Sequence, residues 1–153
     1  MISADAFQHQ LQKSIVPLLT RWKRCYQLSN VSNASINVLI YLPIKPHHSI
    51  ELQILYSPVY QEPQLIFRIW SHETVDDIET QRICFPDDLH TWLNIQDFTI
   101  RLDYLHPSSR DVWYSVHGCD TADIVGSELK DYLKRWASIF LTIFDSEVSL
   151  MFL

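Results

Sequence analysis

Three strand-like apolar runs, Ile36 to Leu42, Ile50 to Tyr56 and Gln64 to Trp70, follow one another, with Pro43-Ile-Lys-Pro46 and Pro58-Val-Tyr-Gln-Glu-Pro63 marking the connections. Parallel neighbours need a crossover of a dozen or more residues, whereas antiparallel neighbours are joined by short turns. These spacings favour an antiparallel meander. Phe98 to Leu102 offers a fourth strand, and Val112 to Val116 a further strand-like stretch that runs straight into Gly118.

Helical periodicity brackets the meander. Phe7, Leu11, Ile15, Leu18 and Trp22 share one face over residues 3 to 22, with Ser3 placed to cap the first turn. Pro17 lies inside that pattern; it has no N–H and crowds the carbonyl four residues back, so the helix is expected to kink or split. From Ser127, with Asp131 nearby, the stripe Leu129, Tyr132, Leu133, Trp136, Ile139, Phe140 and Ile143 predicts the strongest amphipathic helix, read here as core. Pro86-Asp-Asp-Leu opens a short helix to Leu93, and residues 72 to 82 read as polar, acidic loop. The acidic charges are either solvated or a docking surface for a basic partner, and salt-sensitive binding would mark the second. The pattern is α+β, with helices flanking an antiparallel sheet. Its 153 residues fit a single domain over residues 1 to 153 that buries its own core.

Composition narrows the partners. With 12 Lys plus Arg against 18 Asp plus Glu, the formal net charge is -6, so no uniformly basic surface exists to neutralise a phosphate backbone, and nucleic acid is set aside. No apolar run approaches the ~18 residues of a membrane span, and the N-terminus lacks the basic and apolar regions of a signal peptide, so a cytoplasmic protein without an integral membrane segment is expected. Cys25, Cys84 and Cys119 cannot all pair with one another and match no zinc spacing. Reduced thiols and no metal or organic cofactor are the expectation. The sequons at Asn30 and Asn33 carry no weight in such a compartment.

Gly118 and Gly126 are the two glycines of the chain, where average usage would give about ten. They bracket Cys119 in Val112-Trp-Tyr-Ser-Val-His-Gly-Cys-Asp-Thr-Ala-Asp-Ile-Val-Gly126, so one thiol sits where the backbone is least restricted. His117, two residues before it, projects to the same side of an extended backbone. It either takes part in chemistry or bonds a nearby carbonyl to fix the loop.

Together, Val59-Tyr-Gln-Glu-Pro63, Leu65-Ile-Phe-Arg-Ile-Trp70, the cysteine block with Ile124-Val-Gly126, and Tyr132-Leu-Lys-Arg-Trp136 with Ser138-Ile-Phe140 resemble the autophagy E2-like conjugating enzymes, most nearly their yeast branch. The resemblance covers at least residues 50 to 144. It implies a divergent ubiquitin-conjugating fold in which Cys119 accepts the ubiquitin-like autophagy-related protein twelve as a thioester from the E1-like autophagy-related protein seven. The modifier then passes to a lysine of autophagy-related protein five, in the cytoplasm or at pre-autophagosomal membranes. The family's usual proline is replaced by Gly118, which leaves the approach to the thiol less preorganised. His106-Pro107-Ser108 resembles the His-Pro-Asn of ordinary ubiquitin-conjugating enzymes, but serine replaces the asparagine, and it reads as a turn.

Tyr56, His117 and Asp120 are the candidate supporting residues, with Thr121 and Asp123 as further candidates. They would desolvate the lysine, take its proton or donate to the oxyanion. Each has a structural alternative: a sheet tyrosine with its hydroxyl satisfied, a loop-fixing histidine, and carboxylates or a hydroxyl that cap a turn. A noncatalytic E2-like binding module is the alternative reading, which predicts no thioester. A cysteine hydrolase would need a histidine base held by Asn or Asp at the thiol, and no spacing shows that arrangement.

Overall fold

Seven strands form one antiparallel sheet in the computed structural model, which describes residues 1–32, 34–106, 110–118 and 125–152. They are β1 Cys25–Ser32, β2 Ser35–Tyr41, β3 His48–Ser57, β4 Glu62–Val75, β5 Ile78–Cys84, β6 Phe98–Leu105 and β7 Val112–Gly118. The spatial order is β1-β2-β3-β4-β7-β6. At 14 residues, β4 is long enough to serve two neighbours along one edge. Leu65 to Phe67 pair with β7, and Ile69 to Val75 pair with β5.

One face of the sheet carries the core. Ile36, Val38 and Ile40 of β2, Ile50, Leu52 and Ile54 of β3, Leu65, Phe67 and Ile69 of β4, and Tyr114 and Val116 of β7 alternate onto it. Against that face pack α1 Ala4–Gln10, a π-helical turn Leu11–Ile15 and α2 Val16–Arg21, together with α4 Tyr132–Phe140 and the 3-10 turns Leu141–Ile143 and Val148–Phe152. The remaining helix, α3 Leu89–Trp92, is the short one expected before Leu93. Phe7, Leu11, Ile15, Trp22, Leu133, Trp136 and Phe140 are all buried, and each such apolar side chain contributes about 1.5–3 kcal/mol.

Ser3 caps α1 as its position suggested, its Oγ accepting from Ala6 N–H at 3.2 Å. Pro17 splits the helix as expected. In a regular helix its ring would crowd the Lys13 carbonyl; instead the preceding turn widens, and Val16 N–H donates to the Leu11 carbonyl five residues back.

Two expectations are corrected, and one strand, β1, lies where no element was expected. Residues 72 to 82 are not loop but a β4–β5 hairpin, because Asp76 and Asp77 adopt φ of 53° and 63°, the left-handed pair that a two-residue hairpin turn requires. Their neighbours stay solvent-exposed, which is why the stretch is polar. The edge strand β1, Cys-Tyr-Gln-Leu-Ser-Asn-Val-Ser, lacks the apolar alternation that marks β2 and β3. The last helix begins at Tyr132 instead of Ser127, because Gly126 (φ 83°) and Asp131 (φ 57°) are left-handed and cannot belong to a continuous right-handed helix. Leu129, outside the helix, is half exposed. Arg135 donates from its guanidinium to the carbonyls of Val125, Glu128 and Lys130, fixing the lead-in as an ordered loop.

Candidate active site

The interior strand β7 lies between β4 and β6 and ends at Gly118, paired with Phe98. The next residue in the chain is Cys119. Cys119, Asp120, Thr121 and Asp123 lie outside the described residues, so the site is built from what surrounds their point of attachment. A cleft of about 170 Å³ opens at this end of the sheet, its lining including Tyr60, Glu62, His117, Gly118, Trp136 and Phe140. Gly118 is held on one side by its pairing with Phe98, and Glu62 contributes to the lining of the same cleft.

His117 and Tyr56 are not brought together. Alternation along β7 sends Tyr114 and Val116 into the core, and Trp113, Ser115 and His117 to the other face. There His117 Nε2 lies 3.1 Å from Ser115 Oγ, and Ser115 donates to Asp103 Oδ1 at 2.5 Å. Tyr56 shares the helical side of β3 with Ile54: its ring lies 5.4 Å from that of Phe7, and its hydroxyl donates to the Ile2 carbonyl at 2.8 Å.

Ser115 and Asp103 were absent from the sequence reading. Ser115 could have been found, since it lies two residues before His117 on the same strand face. Asp103 could not: β6 sets Arg101 opposite Ser115 and Tyr104 opposite Trp113, three residues against two, and the resulting bulge re-aims the intervening side chains. The other two thiols are half-buried, and burial pushes both Cys25 and Cys84 above the ordinary thiol value, which disfavours the thiolate.

The α+β architecture, an antiparallel sheet with a one-sided helical layer, is that of an E2-like protein, and its interior strand β7 ends beside the cleft, directly before a cysteine in the sequence. The match of residues 8–151 to the autophagocytosis-associated protein, active-site domain, places the chain in that family. Within it, the chain is similar to proteins named ubiquitin-like-conjugating enzyme ATG10. The Kluyveromyces marxianus protein is 31% identical over 147 residues, covering 95% of this chain and 97% of the relative. The Saccharomyces cerevisiae S288c protein is 42% identical over 96 residues, 60% of this chain and 58% of the relative, so the match spans little more than half of that protein's length. Among solved structures, "Solution structures of KmAtg10" superposes with a TM-score of 0.82 at 30% identity, covering 97% of this chain and 98% of that one. "Crystal structure of Autophagic E2, Atg10" gives 0.73 at 30% identity, covering 94% and 96%. Among the described residues, no helix is long and apolar enough to cross a membrane.

Proposed function

We propose that this chain is an E2-like transferase that carries a ubiquitin-like modifier as a thioester on Cys119 and hands it to a lysine amine. The observation that carries the reading is the position of β7: in a chain matched to the family's active-site domain over residues 8–151, this interior strand ends at Gly118 beside a cleft, and Cys119 follows. The donor is the E1-like autophagy-related protein seven, the modifier autophagy-related protein twelve and the acceptor autophagy-related protein five. The reaction takes place in the cytoplasm.

Loading exchanges one thioester for another. The Cys119 thiolate attacks, the E1 thiolate leaves, and the step is nearly balanced, so a thiol of ordinary pKa suffices. Transfer is harder, because a lysine amine of reference pKa ~10.4 must lose a proton before it attacks. Glu62, which lines the cleft, is proposed to give the incoming ammonium a counter-charge. His117 and Asp120 are the proposed supporting residues. Tyr56 supports the site through the N-terminal segment that its hydroxyl holds.

The test is reconstitution with the E1-like enzyme, ATP and modifier. A thiol-sensitive adduct should form, disappear in Cys119→Ala, and discharge when the acceptor is added. Binding of modifier or acceptor without any adduct would replace this reading with that of a noncatalytic module.

A further inference from the structure

Ser115 Oγ has one proton, and Asp103 Oδ1, which as a carboxylate only accepts, lies 2.5 Å from it. That proton is therefore committed to Asp103. The contact at 3.1 Å between Ser115 Oγ and His117 Nε2 must then run the other way, with the ring donating. Ser115 is buried, at 2% exposure, which holds its hydroxyl in place, whereas His117 is exposed at the end of β7. The β6 bulge that delivers Asp103 to Ser115 completes the arrangement.

We infer that Asp103 and Ser115 are positioning residues that hold His117 as its Nε2–H tautomer, leaving the Nδ1 lone pair free to take the proton of the attacking lysine amine. This rests on the reading of Cys119 as the nucleophile. As the neutral amine attacks the thioester carbon, the C–N bond forms, the amine proton passes to His117 Nδ1, and the C–S bond breaks with Cys119 leaving as thiolate. The products are the isopeptide, the thiolate and the imidazolium, so charge and protons balance. His117 is the catalytic residue; Asp103 and Ser115 act through it. A histidine with the opposite tautomer would present a proton where a base is needed.

The experiment combines ring-nitrogen NMR of the full chain with a chase of preloaded enzyme. At alkaline pH, with the ring neutral, the His117 nitrogens of the unaltered chain should report the proton on Nε2, and Ser115→Ala and Asp103→Ala should shift the population toward Nδ1–H. Asp103 is exposed, so its variant leaves the buried packing untouched. Each variant is then loaded to completion, the E1 quenched and acceptor added; discharge should slow on the order of tenfold in both, and more in His117→Ala. A lowered stability alone would not move a proton between ring nitrogens. A dominant Nδ1–H form in the unaltered chain, or unchanged discharge in both variants, would overturn the inference. Failure of the unaltered chain to load would instead sink the Cys119 reading, and the ring nitrogens would still decide whether the relay exists.

Discussion

Tyr56 shows how one side chain ties a terminus to a sheet. Its hydroxyl donates to the Ile2 carbonyl, and Ile2 N–H donates to Gln61, so the first residues close over the β3–β4 connection. Tyr56→Phe removes one hydrogen bond and should cost about 0.5–1.5 kcal/mol in urea unfolding. Where both proteins are fully folded, thioester discharge should stay nearly unchanged. A slowing of ~10²-fold would return the hydroxyl to the oxyanion. At this scale the sequence singled out Cys119 and His117 as candidates, because glycine scarcity and an i, i+2 spacing are local signals. It was silent on Asp103, whose partner is set by a bulge, and a bulge is a property of two strands in register.

Among elements, those with one buried face were legible. β2, β3 and β4 alternate with period 2 because they pack on helices, and their prolines mark the turns. β1 and β5 lie away from that pressure, so neither shows alternation, and the β4–β5 turn is encoded by two aspartates rather than by glycine. The start of α4 was misplaced because amphipathic spacing does not register a left-handed residue. Gly126 tests this directly. A Cβ there would meet nothing within 4 Å, so the whole effect of Gly126→Ala is conformational: about 1–2 kcal/mol of lost stability from φ 83°. Asn should be milder. An alanine variant as stable as the unaltered protein would show that the segment before α4 takes another conformation at no cost.

Across the whole molecule, the N-terminal helices and the C-terminal turns are joined by residues that do not line the cleft. Trp22 Nε1 donates to Asp145 Oδ2 at 2.8 Å, Arg24 lies 3.5 Å from Asp145 Oδ1, and Arg24 also donates to the Phe144 carbonyl at 2.6 Å. Asp145→Ala leaves the buried Trp22 N–H without its acceptor and should cost about 1–3 kcal/mol, read as a lower urea midpoint with unchanged slope. An unaltered midpoint would mean that the clamp contributes nothing net. Because this clamp is distant in sequence, no local pattern announced it, although Trp22 belongs to the apolar face read over residues 3 to 22.

Which thiol carries the modifier decides the mechanism, and mass mapping of the adduct reads that most directly. Loaded protein, digested without reductant, should yield the modifier's C-terminal residue joined to Cys119, labile to thiol, and Cys119→Ser should yield the same junction as a thiol-resistant ester. A junction at Cys25 or Cys84, or an adduct that persists in Cys119→Ala, would contradict the account.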